Sequence, residues 1–222
     1  MKKLNVQPEL WDQPASPLAN SCEATLYFER LLHHQGYHTV AGTDEVGRGC
    51  LAGPVVAAAV ILPADCHLQG LTDSKKLSAE QRKSLVPEIE HQALSFSIAS
   101  VSPRIIDKIN ILQASLRAMA LAVEGLDPKP SAILVDGNQP IPVQLPQKTV
   151  VKGDSRSLSI AAASVIAKVH RDNLMEEYHR RYPEYQFARH KGYATAVHLE
   201  ALRRYGPCPL HRMTFKGVKA DD

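Results

Sequence analysis

Cysteine is scarce in this chain and badly spaced for metal or disulfide work. The four residues, Cys22, Cys50, Cys66 and Cys208, form no CxxC pair and have no neighbouring histidine at zinc spacing. That sets aside a zinc module and gives no disulfide framework. Aromatic residues make up only 5% of the chain, so the core must come from the aliphatic residues that bring hydrophobics to 44%. No apolar run approaches the roughly 20 residues that span a bilayer. The start, MKKLNVQPELWDQP, is basic but lacks the apolar stretch of a signal peptide. A soluble cytoplasmic protein without a membrane partner is expected. There is no internal repeat and no low-complexity tract.

Net charge is also small, at +3, but it is unevenly placed. Between Lys168 and Lys219 stand eleven Lys and Arg against five Asp and Glu, with five of the ten histidines. A basic C-terminal third suits a polyanionic partner, although a solvated helix face has the same composition.

What is present reads as alternating elements in one domain of 222 residues. Residues 1 to about 20 form a polar, proline-spotted arm, and CEATLYFERLLHHQGY a short amphipathic helix ended by Gly36. TVAGTDE, GPVVAAAVIL, LSFSIASV, SAILVDG and KTVVKGD read as five strands. Helices fall between and after them. Ser78 opens a capping box, Asn110 opens NILQASLRAMALAVEGL, SLSIAAASVIAKVHRDNLMEEYHRRYP is the longest, and YATAVHLEALRRYG ends at Gly206. The order predicts an α/β fold: a sheet of about five strands with helices on both faces, plus a helical C-terminal lobe.

The acids fall at the ends of these runs. Asp44 and Glu45 end the first strand, Asp136 ends AILVDG, and Asp154 follows VVKG. In open α/β sheets the reacting centre lies beyond strand edges, where these carboxylates could converge. Clustered carboxylates need cations, and hard ions such as Mg²⁺ or Mn²⁺ take oxygen ligands. Two such ions about 3.5–4 Å apart activate a water and stabilise a leaving phosphodiester oxygen. Taken singly, Asp154 could cap the next helix and Asp136-Gly137-Asn138 could be a turn. Gly47-Arg48-Gly49 lets backbone approach a ligand, or is a tight strand connection. Ser74, Lys75 and Lys76 could bind a phosphate, or form a solvated basic turn. His170, His190 and His211 are spread over several segments and read as surface or structural residues rather than a general base.

GTDEVGRGCLAGPVVAAAVIL, LTDSKKLS, ILVDGN, VVKGDSRSLSIAAASVIAKVHRD and HKGYATAVHLEALRRYGPCPLHRMTF, in that order, resemble the bacterial ribonuclease HII family (type 2 RNase H) over residues 38 to 217. The resemblance implies an RNase H-like fold: a mixed five-stranded sheet, its first three strands antiparallel, with a C-terminal helical extension at about 185–222. It divides the chain into an arm and short helix, 1–37, and a catalytic domain, 38–222. It implies hydrolysis of the RNA strand of RNA–DNA hybrids and incision 5′ of single ribonucleotides in duplex DNA, leaving 3′-hydroxyl and 5′-phosphate ends.

By position in these motifs, Asp44, Glu45, Asp136 and Asp154 would be catalytic and bind two divalent ions, Mn²⁺ or Mg²⁺. Gly47, Arg48 and Gly49 resemble the family's sensor of the ribose 2′-hydroxyl. Tyr193 resembles the tyrosine that stacks on the next deoxyribose, although by pattern alone it is a helix-face aromatic. Ser74, Lys75 and Lys76 would hold phosphates. The family also implies a monomer and leaves a sliding-clamp partner open. Two departures are visible: Cys50 stands where proline usually follows GRG, and Thr43 where an aliphatic residue usually precedes the aspartate. Two other readings share these residues, a DNA nuclease of the same fold and a non-catalytic hybrid-binding module; the four clustered carboxylates argue against the second.

Overall fold

A computed structural model of the chain describes residues 25–71 and 77–219. The expected N-terminal arm and the Ser74, Lys75 and Lys76 loop lie outside these described residues. Five strands, β1 (Val40–Val46), β2 (Val55–Ile61), β3 (Ser95–Val101), β4 (Ala132–Asp136) and β5 (Gln147–Val150), form one sheet in the order β3-β2-β1-β4-β5. β1 pairs antiparallel with β2, and β2 with β3, whereas β1, β4 and β5 run parallel. This is the mixed sheet expected from the sequence.

β2 reads VVAAAVI and is buried along its whole length, as a strand covered on both faces must be. Val56, Ala58 and Val60 face α2 (Ala79–Gln92) and α4 (Leu158–Arg181). Val55, Ala57, Ala59 and Ile61 face α3 (Pro103–Glu124). The small residues of α4, Ala161, Ala162, Ala163 and Ala167, are all fully buried and bring this helix close against β1. At Gly42 the approach is closest, since a β-carbon there would lie 2.3 Å from Ile160 N.

The helix ends follow local chemistry. Ser78 and Gln81 form the expected capping box of α2. Helix α3 begins earlier than the sequence suggested, at Pro103, because Pro suits a first helical turn. Asn110 then interrupts it at φ 65° and accepts a hydrogen bond from Gln113 N at 3.1 Å, so it opens the second stretch as expected. Ser157 caps α4, accepting from Ile160 N. From α1 (Tyr27–His34), buried Glu29 Oε1 accepts from Ser157 Oγ, Ser159 N and Ser159 Oγ, tying the N-terminal helix to the start of α4. Burial pushes the Glu29 carboxyl up, and these serine contacts oppose that shift. Among the described residues no helix is long and apolar enough to cross a membrane.

The C-terminal lobe carries α5 (Phe187–His190) and α6 (Ala196–Tyr205) on a small core of Leu51, Met175, Tyr185, Phe187, Leu202 and Val218. Within it three buried histidines touch. His198 Nδ1 lies 2.9 Å from Tyr193 O and must donate, so its Nε2 accepts from His211 Nε2 at 3.0 Å. His211 Nδ1 in turn accepts from Cys208 N, and His190 Nδ1 from Gly192 N. Every ring is therefore needed as an acceptor, hence neutral. Burial pushes His198 and His211 down to about 4 and lowers His190 too. These histidines are structural, as their scatter in the sequence implied.

A folded-state value below the unfolded one means that the unfolded chain binds more protons, so stability is complete above about pH 6.5 and falls toward pH 4. By pH 5 each of the two rings withdraws about 2 kcal/mol, and the melting temperature should drop by roughly 10 °C. The raised carboxyls of Glu29 and Asp44 push the opposite way. Melting curves of the protein and of His211→Asn between pH 7 and 5 separate the two effects, because the variant should show the shallower decline. Parallel slopes would mean that His211 does not titrate there.

Candidate active site and nucleic-acid interface

At the C-terminal ends of the parallel pair β1 and β4, backbone geometry sets two acidic residues beside a third. Successive residues of β1 point to opposite faces. Asp44 therefore lies on the α4 side, where Ser164 hydrogen-bonds it, and its Oδ1 also accepts from Glu45 N at 2.7 Å. Asp44 is 7% exposed. Glu45, one residue on, meets Arg48, whose Nη1 lies 3.0 Å from Glu45 Oε1. Asp136 ends β4, and its Oδ1 accepts from Gly153 N at 2.6 Å.

The three carboxyls lie close enough for the charge of one to act on another. Burial pushes the Asp44 carboxyl well above the usual carboxylate range, and the charges of Asp136 and Glu45 push it further; Ser164 and the Glu45 N–H offset part of this. Glu45 is raised by burial, opposed by Arg48 and raised again by Asp136.

Asp154 departs from its expected position. It does not end a strand but sits four residues beyond β5, in a single 3₁₀ turn, Gly153–Ser155. Nor does it cap α4, since Ser157 does that. It is 3% exposed and adjoins Gly153, whose N–H holds Asp136, so one short turn links the two aspartates.

This donor set is all oxygen, the preference of Mg²⁺ and Mn²⁺. Mutual repulsion in a desolvated pocket is what a divalent cation relieves. Glu45 leans on Arg48 and Asp136 on Gly153, and among the described residues no three of these side chains already stand at ligand spacing. The fit is therefore one of charge and chemistry: the donors are carboxylate oxygens whose charges raise one another.

A second region adjoins the first. Gly47 has φ +95°, a backbone region that glycine tolerates, and Arg48 and Gly49 are exposed. Leu51 N donates to Gly192 O at 2.8 Å, joining this loop to the segment that carries Tyr193. Tyr193 is 44% exposed at the edge of an open groove of about 580 Å³, lined also by Arg189, Lys191 and Thr195. Its hydroxyl is raised by burial and then by Cys50, whose side chain hydrogen-bonds it. Cys50, fully buried, thus supports a candidate contact residue, which its place after GRG did not reveal. Thr43 is accommodated simply, its hydroxyl donating to Ala58 O at 2.8 Å.

Sequence reading missed Ser164 and two buried arginines, Arg171 and Arg212. Ser164 sits among small helix residues, and both arginines lie in a basic stretch that reads as surface.

Known proteins resemble this chain over most of its length. The family model described as ribonuclease HII matches residues 41–218. A ribonuclease HII of Syntrophotalea carbinolica is 58% identical over 194 residues, covering 87% of this chain and 93% of its own. One from Syntrophobacter fumaroxidans is 56% identical over 197 residues, covering 89% and 84%. Among solved structures, the PCNA:RNase HII complex from Archaeoglobus fulgidus aligns with a TM-score of 0.70 at 28% identity, covering 83% of this chain and 98% of that one.

Proposed function

The chain belongs to the ribonuclease HII family and is a nuclease, a phosphodiester hydrolase; from that premise we propose that it cuts the RNA strand of RNA–DNA hybrids and incises 5′ of a single ribonucleotide in duplex DNA. The observation that carries this reading is the meeting of Asp44, Glu45 and Asp136 at one end of the sheet, a few residues from an exposed glycine loop. Asp44, Glu45, Asp136 and Asp154 would hold two divalent ions, Mn²⁺ or Mg²⁺. Bound there, such ions activate water and stabilise charge on the departing 3′ oxygen.

The chain's own residues do the rest. Ser164 and the Glu45 N–H orient the Asp44 carboxylate. Gly153 N–H holds Asp136 by Oδ1. Arg48 keeps a positive charge beside Glu45 and near the phosphate that the site would receive. Gly47, Arg48 and Gly49 offer backbone groups to a 2′-hydroxyl, the feature by which protein distinguishes RNA from DNA. The Tyr193 ring packs on the following sugar, where a 2′-hydroxyl would be crowded. Ser74, Lys75, Lys76 and the basic C-terminal third grip phosphates without reading bases. The protein would act as a monomer of one catalytic domain, residues 38–222, with a sliding clamp as a candidate partner.

The test is a DNA duplex carrying one ribonucleotide, incubated with Mg²⁺ or Mn²⁺ beside an all-DNA control. A single cut 5′ of the ribonucleotide, leaving 3′-hydroxyl and 5′-phosphate ends, is expected. Equal cutting of the control would replace this reading with a DNA nuclease of the same fold.

A further inference from the structure

Beneath the glycine loop and the Tyr193 segment lie the guanidinium groups of Arg212 and Arg171, both 0% exposed. Arg212 donates through Nη2 to Gly47 O at 2.6 Å, through Nη1 to Arg48 O at 2.8 Å, and through Nε and Nη2 to Gly53 O. Its own N–H donates to Leu51 O. Arg171 donates to Pro54 O at 3.1 Å, Ala52 O at 3.1 Å and Lys191 O at 2.9 Å. Among the described residues neither forms an ion pair with a carboxylate, and their hydrogen-bond partners are backbone carbonyls from two loops more than a hundred residues apart in the chain. Burying two cations without counter-ions is costly, and only the rigid five-donor fork of arginine can gather so many carbonyls at once.

The consequence for the loop follows from the planarity of the peptide unit, which points each N–H opposite to the preceding C=O. With the Gly47 carbonyl turned inward on Arg212, the Arg48 N–H is turned outward. With the Arg48 carbonyl turned inward, the Gly49 N–H is likewise turned outward. Arg48 and Gly49 are exposed, and among the described residues neither N–H donates to another group. Two successive donors therefore face the solvent above a buried brace. Arg171 fixes the lateral position: a β-carbon on Gly47 would lie 2.2 Å from its Nε, so the loop rests directly on the guanidinium. The same guanidinium holds Lys191 O, two residues before Tyr193.

We propose that Arg212 and Arg171 are positioning residues for ribose discrimination, presenting the Arg48 and Gly49 N–H groups outward and holding them at a fixed offset from the Tyr193 ring. This rests on the reading of the loop and Tyr193 as a reader of the ribose-to-deoxyribose junction. Neither arginine touches substrate; each acts through backbone.

The experiment measures binding without cleavage, in protein carrying Asp136→Asn. Dissociation constants are taken for a duplex with one ribonucleotide and for the same duplex in all-DNA form, and their ratio is the discrimination. Arg212→Lys and Arg171→Lys keep the charge and most of the volume and lose the fork. Each should reduce the ratio by about five-fold or more, the worth of roughly one hydrogen bond, while all-DNA affinity stays within about two-fold. The ratio is formed within each preparation, so a lowered folded fraction cancels from it. An unchanged ratio in both variants, or a parallel loss of affinity for both duplexes, would overturn the proposal and leave the arginines purely structural. A parent protein that shows no preference for the ribonucleotide would instead overturn the junction reading, and the brace's role with it.

Discussion

Asp136→Asn should lower the single-turnover rate of phosphodiester cleavage by about 10³-fold or more, the equivalent of some 4 kcal/mol of lost transition-state stabilisation. The fold should be untouched. The amide oxygen of asparagine can still accept from Gly153 N, as Asp136 Oδ1 does at 2.6 Å, so the turn that carries Asp154 keeps its anchor. What disappears is one negative charge from a group of three. The charge on Asp136 is the largest electrostatic contribution, after burial, to the raised Asp44 carboxyl. Its removal lets Asp44 ionise more easily and leaves the pocket less able to hold divalent ions. The variant should therefore melt at or slightly above the parent temperature and still bind duplex through its basic surface. Rapid-mixing cleavage at saturating metal, with anisotropy for binding, separates the two properties. A rate within ten-fold of the parent would remove Asp136 from the metal site.

Gly42→Ala should be the most damaging single methyl in the described structure. Gly42 lies in β1 with an ordinary strand backbone, so the effect is purely steric. Its β-carbon would sit 2.3 Å from Ile160 N and from the Ser159 carbonyl carbon, and 2.6 Å from Ser159 Oγ. Two of those atoms are helix backbone and cannot rotate away. Helix α4 would have to lift off the sheet, breaking the hydrogen bonds of Glu29 to Ser157 and Ser159 and opening the layer that buries Ala161, Ala162 and Ala163. A cost of about 3 kcal/mol or more is expected, beyond ordinary overpacking. Urea unfolding followed by circular dichroism would measure it, and a midpoint equal to the parent's would show that α4 can yield.

The sheet was legible because its strands are unbroken apolar runs. VVAAAVI and AILVD are apolar runs of strand length, and the acids near the ends of β1 and β4 are visible as sequence punctuation. Ser78 and Asn110 announced helix starts through their side chains, a signal local enough to survive without tertiary context. Asp154 was harder: its distance from the apolar run KTVV does not reveal that a left-handed residue, Lys152, turns the chain into a 3₁₀ turn first. The partners of Asp44 show the limit most plainly. Ser164 sits on α4, far along the chain, and nothing in SIAAASVIA shows that Ser159 meets the Glu29 carboxylate and Ser164 that of Asp44. Arg171 and Arg212 were hidden for a different reason. In a stretch rich in Lys and Arg, a charge that goes inside looks like every charge that stays out, and only the carbonyls of a remote loop mark it.

The pairing of β1 has a further meaning for how the molecule comes into being. β1 and β2 are antiparallel neighbours joined by a short connection, residues 47–54, and β3 follows after α2, whereas the parallel contact of β1 with β4 closes a loop of about 90 residues, a slower step by its entropy. Asp44 and Glu45 belong to the local β1–β2 pair, and Asp136 and Asp154 to segments that leave the ribosome later. Half the carboxylate cluster therefore exists before the other half can reach it. The candidate site is complete only once β4 and the turn beyond β5 have docked beside β1.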